Sequence, residues 1–226
     1  MASYKKSIET KEKIIQTAST LFFIQGYNAT TIRDIANQSE LSLSRLNYHF
    51  ISKADVAGVI CKKFLSDLNT KLWDIIPIKE NKILRDTIHI RYWVKIFLSQ
   101  SQAMNFYYEL ACENILGDML IESDYQHFIE QAEFLNLNLD EKTLCMYAHI
   151  FVVSLIQLIR AKKEGAISSE IENILDMCNT LHLKLLGLDQ REQEKIISKA
   201  RIYTNYIQYE MTDLSSIQLK YSEQLV

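Results

Sequence analysis

The sequence predicts an all-α fold in two parts, a small head of three helices and a larger helical body. Two observations carry this. One proline and five glycines serve 226 residues, too few for the tight turns that a sheet protein needs. Apolar residues also recur at helical spacing through most of the chain, and at 48% of the composition they are enough to bury a real core.

From Ser7 to Ile24, residues Ile8, Ile14, Ile15, Ala18, Leu21 and Phe22 form one apolar stripe. Gly26 ends this helix as a left-handed cap, and Tyr27 is expected to pack back on it. Thr30 or Thr31 caps a second helix, with Asp34 in its first turn and Ile32, Ile35 and Ala36 on its apolar face. The run Ser39-Glu40-Leu41-Ser42 supplies a turn. Ser42 then caps a third helix whose apolar face is Leu43, Leu46 and Phe50. Helices this short cannot bury enough surface alone, so the first helix must support the other two. The outline is a helix-turn-helix, whose second helix enters the DNA major groove.

Ser52 caps a fourth helix reaching about Ile76, with Pro77 expected to end it. It is long enough to begin in the head and finish in the body, as a strut. The boundaries read as a head over 1–52 and a body over 53–226, with residues 53–76 connecting them. Body helices are expected at Ile83–Leu98, Ala103–Leu116, Ile121–Leu135, Glu141–Lys163 and Ser168–Leu186, with Gly165 and Gly187 closing the last two. A final helix is expected over Gln190–Met211, followed by a polar tail that frays after Asp213.

The overall charge of −3 argues against a chain that coats nucleic acid throughout, but its distribution is uneven. Through Lys63 there are nine Lys and Arg against five Asp and Glu, a net of +4, and the rest holds sixteen against twenty-three, or −7. A basic head on an acidic body can aim one face at phosphate. Cys61, Cys112, Cys145 and Cys178 are dispersed, which reads as free thiols in a reducing cytoplasm. No signal segment opens the chain, and the longest apolar stretch, Met146 to Ile159, is short and holds His149, Ser154 and Gln157, so no membrane association is expected.

The head resembles the TetR family of bacterial transcription regulators. The resemblance rests on Ile14, Ala18, Leu21-Phe22, Gly26-Tyr27, Thr30-Thr31, Asp34-Ile35-Ala36, Leu46, Tyr48-His49-Phe50 and Ser52-Lys53, all in the family's order. It covers about the first quarter of the chain. Glu40 stands where the family's turn usually has glycine, a position that tends to need positive φ. Asn47 replaces the first tyrosine of the family's Leu-Tyr-x-His-Phe and is able to pair bidentately with adenine.

The resemblance implies a sequence-specific regulator, most commonly a repressor, acting on double-stranded operator DNA as a homodimer. Arg33 falls where some members read a guanine, and Leu43, Ser44 and Asn47 fall at base-facing positions. Thr31, Arg45, Tyr48, His49 and Lys53 fall where phosphate contacts set register. Ser42 sits among them, chiefly as a cap. A palindromic operator needs two heads about 34–36 Å apart. The apolar residues of the last two long body helices, Met146, Ile150, Val153, Leu155 and Ile156 with Ile171, Ile174, Leu175, Leu181 and Leu185, offer a four-helix dimer surface.

The C-terminal domain is thus expected to serve ligand binding and dimerisation. Its aromatic residues Trp73, Tyr92, Trp93 and Phe97, with Tyr107, Tyr108 and Phe128, are the candidates for a pocket holding a small apolar or aromatic ligand. A body that answers to a protein partner, or to no effector, is the alternative. No cofactor is expected. Asp86 with His89 and Asp124 with His127, or Cys145 with His149 and Cys178 with His182, could pair into a four-ligand metal site. The Glu-x-x-His pairs of a helical di-iron enzyme are missing, however, as are Gly-rich and nucleophile motifs, so an enzyme is not expected.

Overall fold

The computed structural model describes residues 2–76 and 81–222. Pro77, expected to end the fourth helix, lies outside the described residues. The head holds α1 (Ala2–Gln25), α2 (Ile32–Gln38) and α3 (Leu43–His49), and α4 (Lys53–Ile75) leads out of it. The body continues with α5 (Lys82–Ser99), α6 (Ser101–Cys112), α7 (Ile115–Phe134), α8 (Glu141–Lys163), α9 (Ile171–Leu185) and α10 (Gln190–Tyr206). Two short strands follow, β1 (Ile207–Glu210) and β2 (Gln218–Tyr221).

Local chemistry sets the head's boundaries. Thr31 and Asp34 exchange side-chain and backbone hydrogen bonds in a capping box at α2, and Ser52 and Asp55 do the same at α4. The Ser42 hydroxyl accepts from the Arg45 amide at the start of α3. Gly26 adopts φ 91° after α1, and the ring of Tyr27 lies 5.3 Å from that of Phe22. Ile14, Ala18, Ile35 and Leu46 are wholly buried, so α1 supplies the floor on which the two short helices rest. Glu40 keeps the turn with φ 55°, and its carboxylate pairs with Lys13 at 2.8 Å.

The body is organised on α5, which is buried nearly all round. Its Arg91 is fully buried and pairs through its two terminal nitrogens with Glu172, Asp176 and Asn179 of α9, while its Nε has no partner; a buried charge needs such counter-charges. The boundary between α6 and α7 differs from the expected Ala103–Leu116 helix, because Asn114 takes a left-handed turn at φ 60° that separates the two.

The head is joined to the body at more points than α4. Phe22 stacks on Phe106 of α6 at 5.5 Å, and the Asn28 amide donates to Glu109.

The C-terminal segment corrects two expectations. The final helix stops at Tyr206 instead of about Met211, and the described part of the tail, through Ser222, is folded back on the protein rather than frayed. The strands β1 and β2 pair antiparallel, Ile207 opposite Tyr221 and Glu210 opposite Gln218. Leu214 and Ile217 in the connecting loop are buried. Asp213 accepts hydrogen bonds from Ser19 and Gln16 of α1, while Lys71 and Asp67 of α4 hold the backbone of Ile217. This hairpin straps the head's first helix to α4 and the body.

One further expectation changes. The helix α8 is long and apolar enough to cross a membrane by length and composition, although the apolar stretch read from Met146 to Ile159 fell short. In the fold it packs against α6, α7 and α9. Its outer face leaves Met146 53%, Ile150 41% and Val153 51% exposed.

Candidate nucleic-acid interface and body cavity

Helix α3 presents its polar side outward. Ser44, Arg45, Asn47 and Tyr48 are exposed, Tyr48 to 82%, while Leu46 beneath them is wholly buried. Arg33 and Thr31 on the adjoining α2 are also exposed. Leu43 is half-buried, so its side chain is shared between core and surface, and Ser42 is exposed with its hydroxyl on the Arg45 amide. The Arg45 guanidinium reaches back to the Thr10 hydroxyl at 3.3 Å, which orients it against α1. His49 is half-buried and meets the Tyr48 ring edge-on at 5.2 Å. A buried row below and an exposed, hydrogen-bonding row above is what base and phosphate contact require.

Lys53 occupies a different setting from a free surface lysine. Its ammonium donates to the carbonyls of Tyr27 and Thr30 at 2.7 and 2.9 Å and lies over the Tyr27 ring at 3.9 Å. Partial burial lowers its pKa, opposed by Glu113 and Glu109 of the α6 end. It fastens the α1–α2 loop onto the start of α4. An ammonium has three donors, so one remains beyond the two carbonyls.

The seven aromatic pocket candidates do not converge. Tyr92, Phe97, Tyr107 and Phe128 are core residues: Phe97 stacks on Tyr107, Phe128 packs on His182, and the Tyr92 hydroxyl bonds the Ile207 carbonyl. Tyr108 points to Glu164 on the surface, and Trp73 lies under Arg85. Trp93 lines a cavity of about 430 Å³ between α4, α5 and α7, and the other six are not part of that lining. Leu65 and Asn69 of α4, His89 of α5, and Leu120, Asp124 and His127 of α7 share that lining.

Sequence reasoning missed His89 and Asp124 as lining residues, although it singled out both in carboxylate–imidazole pairs. The metal pairings do not assemble. His89 and His127 face each other at 6.3 Å between ring centres, but Asp86 turns to Gln131 and Lys82. Cys145 and His149 sit on the exposed face of α8, whereas Cys178 and His182 are buried on α9. Among the described residues no three such side chains gather as metal ligands.

Of the expected dimer residues, Met146, Ile150 and Val153 are exposed, joined by Met177 of α9 at 59%. Leu155, Ile156, Ile174 and Leu175 are buried within the subunit, and Ile171, Leu181 and Leu185 are half-buried.

Residues 14–59 match the model of the bacterial regulatory proteins, tetR family. Over 66 residues the chain is 36% identical to the HTH-type transcriptional repressor KstR2 of Rhodococcus jostii (strain RHA1), which covers 29% of this chain and 32% of that protein. Over 72 residues it is 39% identical to IcaR, the biofilm operon icaADBC HTH-type negative transcriptional regulator of Staphylococcus aureus (strain Newman), covering 32% and 37%. The matches therefore span about a third of those relatives' length. The fold is shared with RolR, solved in complex with the ligand resorcinol, at a TM-score of 0.63 and 16% identity over 87% of this chain and 96% of that one. A putative TetR-family transcriptional regulator from Syntrophomonas wolfei str. Goettingen is similar at a TM-score of 0.55 and 20% identity, over 80% and 96%. At such identities the likeness is one of fold.

Proposed function

We propose that this chain, whose residues 14–59 match the model of the tetR family of bacterial regulatory proteins, is a regulator of that kind that represses transcription by binding a palindromic operator as a homodimer, and that a small apolar or aromatic molecule in the body releases it. The observation that carries the DNA-binding reading is the exposed row Ser44, Asn47 and Tyr48 on α3, set on a buried Leu46. In this reading Arg33, Leu43, Ser44 and Asn47 meet base edges. Thr31, Arg45, Tyr48 and His49 meet phosphates, with Ser42 as the cap that fixes the start of α3. Lys53 gives its remaining donor to a phosphate while fastening the head's loop. The protein is a regulator rather than an enzyme.

The exposed Met146, Ile150, Val153 and Met177 support a dimer face on α8 and α9. Burying that row against its symmetry mate makes a four-helix bundle and holds two heads for one operator. The cavity supports the ligand reading, because α4 lines it at Leu65 and Asn69 and also begins at Lys53 beneath the head. A ligand that favours one placement of α4 shifts the spacing of the heads, provided that its affinities for the two states differ.

The test is a binding titration on a duplex carrying the selected operator. Arg33→Ala should relax preference at one base pair in each half-site, at about 1–3 kcal/mol, with other positions unchanged. If Arg33→Ala lowered affinity for every sequence equally, its base-reading role would be wrong.

A further inference from the structure

The α4–α5–α7 cavity holds an acceptor that the protein leaves unused. His89 is buried, and the Leu65 carbonyl of α4 takes a hydrogen bond from its ring. Its Nε2 is buried without a partner. With Nδ1 the donor to Leu65, Nε2 is fixed as an acceptor. Burial, reinforced by nearby His127, pushes the imidazole down to about 3, so it stays neutral and does not become a donor at physiological pH. An interior acceptor with no donor is unfavourable, and the cavity is where a donor can come from.

Asp124 lies on the same lining, is 6% exposed, and has no hydrogen bond or ion pair among the described residues. Burial raises its carboxyl to about 7. Glu122 and Glu130 add to the lining, and its one lysine, Lys62, is already paired with Glu122 at 3.1 Å. This acidic surround disfavours an anion. Trp93, Leu65 and Leu120 supply flat and apolar wall.

We infer that this cavity takes a small, non-anionic molecule whose hydroxyl donates a hydrogen bond to His89 Nε2 while its carbon body packs against Trp93. The inference rests on the reading of the body as a ligand-binding domain and narrows it to a class: uncharged hydroxylated compounds with an apolar or aromatic frame. Carboxylic acids and compounds without a donor are excluded. The Asp124 carboxyl is placed to meet a second polar group of the same molecule.

The experiment uses the full chain without DNA and calorimetric titration with four probes of one frame: 2-naphthol, its methyl ether, 2-naphthoate and 2-naphthylmethylamine. At neutral pH, 2-naphthol should bind about tenfold or more tightly than the ether, the value of one recognised hydrogen bond, 2-naphthoate should bind more weakly still, and 2-naphthylmethylamine should bind less tightly than 2-naphthol because burial disfavours its charge. His89→Phe, checked for native folding by circular dichroism, should bring 2-naphthol to the level of the ether. His89→Gln, which restores an acceptor, should recover part of the difference. Equal binding of 2-naphthol and its ether by the unaltered protein overturns the inference, as does tightest binding by the amine or the acid, or no binding by 2-naphthol. Operator release is measured separately. Selective binding without release would contradict the proposed regulation and leave this assignment standing.

Discussion

Replacing Asp213 by alanine should destabilise the whole chain, although the residue sits only nine positions before Ser222, the last described residue, in a stretch whose sequence reads as a polar tail. Its carboxylate accepts from Ser19 at 2.9 Å, from the Ser215 amide and hydroxyl at 2.6 and 2.7 Å, and from Gln16 at 3.2 Å. Burial alone would raise its pKa, but hydrogen bonds from Ser215, Ser19 and Gln16 hold it below the ordinary value. Hydrogen bonds to a charged group contribute about 1.5–3 kcal/mol each, without adding fully. The Ser19 hydroxyl, wholly buried, would lose its acceptor. We expect a loss of about 2–4 kcal/mol, or roughly 5–15 °C in Tm for a chain of this size. Thermal unfolding followed by circular dichroism reads it.

The pH dependence has a definite sign. A carboxyl whose folded pKa is lowered contributes above its unfolded value, and the contribution is lost as pH falls through the folded one. The gap between the unaltered protein and Asp213→Ala should therefore be full at neutral pH and close below about pH 4. A gap under about 0.5 kcal/mol at neutral pH, the range of ordinary surface changes, would refute the strap as a structural element.

Three further changes separate strain, burial and charge. Glu40→Gly removes a left-handed φ of 55° at the cost of an exposed ion pair with Lys13, and a gain of about 0.5–1 kcal/mol is expected in urea unfolding; a loss would mean that the pair outweighs the strain. Asp124→Asn should remove a pH-dependent penalty: its folded pKa of about 7 lies above the unfolded 3.8, so the unaltered protein loses stability as pH rises between the two, by on the order of 2–4 kcal/mol. The variant's unfolding curve should be flatter over that window, and identical curves would contradict a buried carboxyl. Arg91→Ala should cost about 3–5 kcal/mol, because Glu172 and Asp176 lose a fully buried partner; the check is equilibrium unfolding, and a cost below 1 kcal/mol would show the network to be incidental.

The head was legible because its signals are local. Thr31 with Asp34, and Ser52 with Asp55, cap within four residues of themselves, and Glu40 declared its left-handed turn by standing where glycine is usual. The body was legible as helices but less so as a site. Aromatic size drew attention to Tyr92, Phe97, Tyr107 and Phe128, yet large side chains fill a core as readily as they line a cavity. Which ones do so depends on how helices cross, and periodicity does not record that. The same limit applies to the paired carboxylates and imidazoles: spacing put Asp86 with His89 on one helix face, while the choice of Lys82 and Gln131 as Asp86's partners was made across helices. The hairpin escaped for a third reason. Its strands have four residues each, too few for a period, and its anchors lie across 194 residues of sequence.

The most direct test of the central claim is selection of bound duplexes from a random DNA pool by the full chain. Enrichment of one palindrome, with half-site centres about one helical turn apart and preference at one position relaxed by Arg33→Ala, is the expected result. No enrichment, or enrichment that is indifferent to Arg33 and Asn47, would contradict a regulator that reads its operator through α2 and α3.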